Sequence, residues 1–128
     1  MAVRKSVNFA GVQHGNPIPA ASRIGSLLMS GVISGVPPRA ATPPSGPEQC
    51  RNMFENVSLL LDAAGGTTDD IIKISVWLKD MSLRDNLNEE WIAMFPDPQS
   101  RPARHVFEDP HLQAPRTVIC EVVAVVGD

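Results

Sequence analysis

Between Val118 and Val126 the chain reads Val-Ile-Cys-Glu-Val-Val-Ala-Val-Val, interrupted by a single charge, Glu121. A run so rich in β-branched residues favours a strand. Successive side chains of a strand point to opposite faces, so this one is apolar on both. A chain of 128 residues has room for one core. One face of the strand can lie under the chain's own helices. The other face then needs a cover of its own, which implies a partner subunit.

The rest of the chain supplies the layers. Val3–Phe9 alternates apolar and polar residues and predicts a strand. A second extended segment is expected within Ser22–Ile33, with Leu27, Met29 and Gly31 on one face and Leu28, Ser30 and Val32 on the other. Pro37 to Pro47 carries five prolines without periodicity and predicts a surface loop. Pro47 suits the first turn of a helix. From Cys50, apolar residues at Met53, Phe54, Val57, Leu60, Leu61 and Ala64 form one helical stripe, which Gly65-Gly66 stops. Ile71–Leu78 predicts a strand with Ile72, Ile74, Val76 and Leu78 opposite Lys73, Ser75 and Trp77. Ser82 is expected to cap a second helix, with Asp85 in its first turn and Leu83, Leu87, Trp91 and Phe95 as the inner stripe. Two strands close the chain, around Arg104–Phe107 and Thr117–Val126. The order β-β-α-β-α-β-β predicts an α+β fold, a single domain over residues 1–128 with one mixed sheet and both helices on one face.

Composition excludes several function classes. A net charge of −3 and no block of Lys and Arg argue against nucleic acid as a partner. No apolar run approaches the ~20 residues that span a bilayer, and Met1–Ser6 lacks the apolar core of a secretory signal. The expectation is a cytoplasmic protein with no membrane partner. Cys50 and Cys120 give no disulfide framework or zinc spacing and read as small buried hydrophobes. His14, His105 and His111 have no clustered carboxylates, so no metal is expected.

Chemistry concentrates near the C-terminus. Arg101-Pro102-Ala103-Arg104 precedes Glu121 by a short loop, and a forked guanidinium can hold a carboxylate through paired, charge-assisted hydrogen bonds. A Glu can orient or deprotonate water. By spacing alone the pair is weak, since single Arg and Glu residues usually sit on solvated faces. No Ser–His nucleophile motif and no phosphate-binding glycine loop occurs.

Pro102-Ala103-Arg104 with Cys120-Glu121-Val122-Val123-Ala124 resembles the signature of the reactive-intermediate deaminase family, RidA or YjgF. Further resemblances follow in order along the chain. Leu28-Met29-Ser30-Gly31 is similar to the family's hydrophobic-Ser-Gly strand end. Gln49 to Val57 resembles its QTxxxxENL helix, and Leu60–Gly65 with Asp69–Lys73 its ILxxAGxxxxDVVK segment. Leu87 to Phe95 resembles VNxxYxxxF.

The resemblance implies a chorismate-mutase-like fold and a homotrimer with three sites in the clefts between subunits. It implies hydrolytic deamination of a small carboxylate-bearing 2-imino or enamino acid to a keto acid and ammonia, without a cofactor. Arg104 is then the carboxylate clamp and Glu121 the residue that activates water, with Arg101 a surface residue. Anchoring on Ala124 sets Glu121 opposite the first Glu of the family's Glu-Ile-Glu-Ala, with two residues inserted in Glu108–Gln113 and Pro115 on a family proline. Counting straight from Arg104 sets it opposite the second. Ser30, Gly31 and Asn88 are expected to line the pocket. The family's Gly-Pro-Tyr-Ser-Gln corresponds to Asn16-Pro17-Ile18-Pro19-Ala20, so Ile18 stands where the phenol would be, and Val106 is apolar where a hydroxyl or thiol is usual. A greasier pocket follows. His14 is a candidate to supply the missing acid or hydrogen bond there, and His111 to cap a neighbouring site, each weighed against a surface or structural histidine, while His105 is expected to face an interface or core. Three alternatives stand beside this reading. They are a specialised deaminase of an aminomuconate-like intermediate, a non-catalytic ligand-binding trimer, and a ribonuclease, which the acidic charge disfavours.

Overall fold

The computed structural model describes residues 3–10 and 15–127. Strands β1 (Lys5–Val7), β2 (Ala21–Ile24), β3 (Leu27–Ser30) and β4 (Ile33–Ser34) come first, then helix α1 (Gly46–Ala63). Strand β5 (Ile71–Leu78), helix α2 (Arg84–Met94) and strands β6 (Ala103–Glu108) and β7 (Val118–Val125) complete it. The sheet runs β1-β2-β3-β7-β5-β6, with β4 also on β7. Among the described residues only β5 and β6 pair in parallel, joined through α2 as a parallel crossover requires. The mixed sheet with two helices on one face is the architecture expected from the sequence.

The core lies between helices and sheet. Met53, Phe54, Val57, Leu60 and Leu61 of α1 and Leu87 and Trp91 of α2 are buried, as are Leu83 and Phe95 at the ends of α2. They meet Ile74, Val76 and Leu78 of β5 and Val118, Cys120, Val122 and Ala124 of β7. Each fully buried aliphatic side chain here contributes about 1.5–3 kcal/mol. Both helical stripes are those the sequence pattern marks. The opposite face of the sheet carries Leu27, Met29 and Val125, all exposed, with Trp77, Val123 and Ile119 half-buried beside them. Among the described residues the β7 strand is therefore fully covered on one side only.

Four local expectations are corrected. Where one extended segment is expected within Ser22–Ile33, β3 has a hairpin partner before it: Ile24 of β2 pairs with Leu27 across Gly25-Ser26, and Gly25 adopts φ +57°. A two-residue hairpin loop needs that positive φ, which glycine adopts without strain. Ile72 points outward and is 53% exposed, because a register shift between Ile71 and Lys73 breaks the alternation. Ser82 does not cap α2. Asp80 caps the short 3-10 turn Met81–Leu83 by accepting from the Ser82 N–H, and α2 continues from it with no side-chain cap. The first strand is shorter than Val3–Phe9, spanning Lys5–Val7.

Two polar side chains lock the chain's ends to its centre. Gln49 is buried and fully satisfied: its Nε2 donates to the carbonyls of Pro44 and Pro115 at 3.0 Å each, and its Oε1 accepts from the Thr117 N–H and hydroxyl. Arg23 donates to the Ala64 carbonyl at the end of α1 and to the Val126 and Gly127 carbonyls after β7. It thereby satisfies orphan carbonyls that a helix end leaves open.

Both cysteines are buried and free. Burial, and secondarily the Glu90 carboxylate, pushes the Cys50 thiol up from 9.0 to about 11, and burial pushes Cys120 up further. A pKa raised in the folded state gives stability that is complete below the unfolded thiol's pKa and is lost as pH climbs through the folded value. Urea midpoints are expected to hold up to about pH 9 and fall toward pH 11, with Cys50→Ala flattening part of the fall. An unchanged slope in that variant would remove Cys50 from the account.

Candidate functional site

Parallel pairing sets Arg104 of β6 beside Ile74 of β5, so its side chain leaves the sheet on the helix side. There α2 presents Arg84, Asn88 and Trp91, which share one stripe at i, i+4 and i+7. Arg104 Nη2 donates to Asn88 Oδ1 at 2.8 Å, and the guanidinium carbon sits 4.9 Å from the Trp91 ring centroid. The other terminal nitrogen, Nη1, is buried without a hydrogen-bond partner among the described residues. Burial first, and then the positive charge of Arg84, hold the Arg104 pKa below its ordinary value. A guanidinium fixed on two sides, with one buried donor unused among the described residues, has hydrogen-bonding capacity left for an acceptor. Val106, two residues on, shares this face and packs against the core.

Glu121 lies elsewhere. Antiparallel pairing puts it opposite Ser75, whose other neighbour is His105, and all three point to the face away from the helices. Lys73 is diagonal to it, paired with Val123. The residue adjacent to Glu121, Val122, is in the core. Arg104 and Glu121 thus occupy opposite faces of the sheet, and one chain does not bring them together. Residue numbers alone hide this, because the relation of two strands' faces depends on which strand lies between them and in what register.

The remaining expected site residues divide similarly. Ser30 accepts from the Val122 N–H at 2.8 Å and donates to the Gly31 carbonyl, so its hydroxyl is used within the backbone. A Cβ on Gly31 would meet only the Ala20 carbonyl oxygen, at 3.8 Å, an ordinary contact. Ile18 is exposed. Pro115 is exposed and its carbonyl is held by Gln49. His105 is exposed and lies 3.9 Å, ring to ring, from Phe107, which stacks on Trp77 at 5.2 Å. His111 is exposed in the turn after β6. Arg101 is exposed, with Nε donating to the Phe95 carbonyl at the end of α2. His14 lies outside the described residues. Among the described residues no helix is long and apolar enough to cross a membrane.

Sequence reasoning missed two residues here. Arg84 had no motif to mark it, although the i, i+4, i+7 spacing to Asn88 and Trp91 carried the signal. Gln49 was read as part of a helix motif, not as the clamp of the Pro115 loop.

The family model described as endoribonuclease L-PSP matches residues 20–126. The chain belongs to that family. A RutC family protein of Pyrococcus horikoshii is 37% identical over 78 residues, which is 61% of this chain and 59% of that relative. The matched segment thus spans little more than half of that relative. The 2-iminobutanoate/2-iminopropanoate deaminase of Salmonella typhimurium is 32% identical over 104 residues, 80% of each chain. Among solved structures, RidA from the Antarctic bacterium Psychrobacter superposes with a TM-score of 0.85 at 24% identity, covering 95% of this chain and 99% of that one. Escherichia coli TdcF with bound serine gives 0.84 at 25% identity, covering 94% and 98%. The L-PSP assignment and the RidA and YjgF fold agree with the resemblance carried by the motifs.

Proposed function

We propose that this L-PSP chain is a cofactor-independent deaminase of carboxylate-bearing 2-imino or enamino acids. The observation that carries the reading is the unpartnered Nη1 of Arg104, held in place by Asn88 and Trp91. Relatives of similar length named as imine deaminases, and a neighbour holding serine, supply the substrate class. The substrate carboxylate binds the Arg104 fork. Water activated by Glu121 adds to the imine carbon, its proton passes to the imine nitrogen, and the carbinolamine collapses to a 2-keto acid with release of ammonia. An imine carbon is already electrophilic, so no redox partner is required.

Opposed faces mean that Arg104 must meet the Glu121 of another copy, which fits a trimer closed over the apolar sheet face. Sedimentation of the wild type is expected to give three times 13.8 kDa. Met29→Lys, which sets a charge into that face, is expected to shift the mass toward the single chain. A monomeric wild type would sink the shared site.

Nucleic acid is not the substrate in this reading, in line with a net charge of −3. Exposed Ile18 and apolar Val106 favour a substrate larger than the one- or two-carbon side chains of the acids named for those relatives. The test is a coupled assay. An amino-acid oxidase generates a series of 2-imino acids in situ, and semicarbazide traps those left unhydrolysed. Faster imine loss with the protein than without supports deamination. No acceleration across the series, with the assembly intact, overturns it in favour of a binding protein.

A further inference from the structure

The stripe of α2 that holds Arg104 carries more charge than one carboxylate neutralises. Asn88 and Trp91 both touch the Arg104 guanidinium, and Arg84 stands one turn before Asn88 on the same stripe. Arg84 is exposed and makes no side-chain hydrogen bond among the described residues, and no carboxylate there bonds Arg104 either. The nearest acidic residue on the helix, Asp85, is the adjacent position and points 100° away around the axis. Arg84 thus stands one helical turn from the residue that bonds Arg104, the inner guanidinium half-buried and the outer residue exposed.

Like charges held together without a counter-ion cost free energy, and the cost is recovered when an anion of matching charge arrives. A monocarboxylate placed on the inner guanidinium leaves the outer one unpaired. A second carboxylate on the same ligand reaches it. The lowered pKa of Arg104 agrees with this crowding, Arg84 being its second cause after burial.

We propose that Arg84 forms a second anion subsite, so that the preferred substrates are dicarboxylic 2-imino acids. Their α-carboxylate sits on Arg104 and their distal carboxylate on Arg84. The inference deepens the deaminase reading and rests on it for the reaction, but its binding part stands without turnover. Arg84 is a specificity residue here, remote from the bond that is hydrolysed.

The experiment is calorimetric binding of the keto-acid products to the full assembly, 2-oxoglutarate against 2-oxobutanoate, in wild type, Arg84→Met and Arg84→Lys. Wild type is expected to bind the dicarboxylate about tenfold more tightly, as one partly exposed charge-assisted contact would give. The ratio should collapse toward one in Arg84→Met and recover in part in Arg84→Lys. Equal binding of the two acids by wild type, a ratio unmoved by Arg84→Met, or no binding of either overturns the subsite. Imine turnover measured in parallel separates the two ideas. A preserved ratio without turnover leaves the subsite standing and removes the deaminase. Turnover without a ratio does the reverse.

Discussion

Arg104→Met is expected to lower kcat/KM for 2-imino acids by about 10²–10³-fold, the loss of a bidentate charged contact at a partly desolvated site. The same substitution should leave the thermal midpoint unchanged or raise it. Arg104 has a buried donor with no partner and a second cation beside it. Such a group costs stability until an anion binds, and an apolar replacement of similar length removes the cost. Loss of the contact with Trp91 offsets the gain by about 1 kcal/mol, so the net change is small. Arg104→Lys keeps the charge but not the fork, and should recover little of the activity. Opposite movements of activity and stability are the signature of a residue kept for binding. A melting midpoint that collapses along with activity would instead make Arg104 a structural residue.

Gly35→Ala should be among the most damaging single changes to stability, at about 3–5 kcal/mol. An added Cβ would lie 1.8 Å from the Gln49 carbonyl oxygen and 2.6 Å from its carbon. Both are backbone atoms in the first turns of α1, and no rotamer change relieves the clash. The approach is enforced from both sides, since Asn52 Nδ2 donates to the Gly35 carbonyl at 3.1 Å and Asn56 Nδ2 to the Ser34 carbonyl at 2.9 Å. Shifting the strap would break these bonds and disturb Gln49, whose amide holds two loop segments, at Pro44 and at Pro115–Thr117. Urea denaturation of Gly35→Ala beside Gly31→Ala gives an internal contrast, because the Gly31 Cβ has room within the chain. Equal midpoints for the two variants would refute the close-packing account.

The helices were legible because each is written in one dominant period, and β7 because its run is rich in β-branched residues. The α1 stripe from Met53 to Leu61 and the α2 stripe from Leu83 to Phe95 are buried as the spacing demands. Where the reading failed, a local device outweighed the period. Gly25 folds one apparent strand into two, and a bulge turns Ile72 to solvent while its neighbours Ile71 and Ile74 stay inside. At the second helix, Asp80 reached the Ser82 N–H first, so the serine that looked like a cap became the capped residue. The site was legible as a list of residue types and illegible as an arrangement. Arg104 with Asn88 could be named from motifs, but Glu121 on the far face follows only from the pairing of β5 with both β6 and β7.

That pairing also bears on how the chain reaches its native state. β7 comes after the other strands in chain order, yet it sits inside the sheet, between β3 and β5, and takes β4 as well. Residues 27–29 find their partners at 123–125, and Gln49 waits for Pro115 and Thr117. Until residues 118–125 are in place, the β1–β3 ribbon and the β5–β6 pair have no common edge. Neither fragment can close α1 over a finished surface. Contacts of such long sequence separation slow the search and discourage partly folded states. On the ribosome, the chain must keep α1's apolar stripe from other company until that keystone strand has emerged.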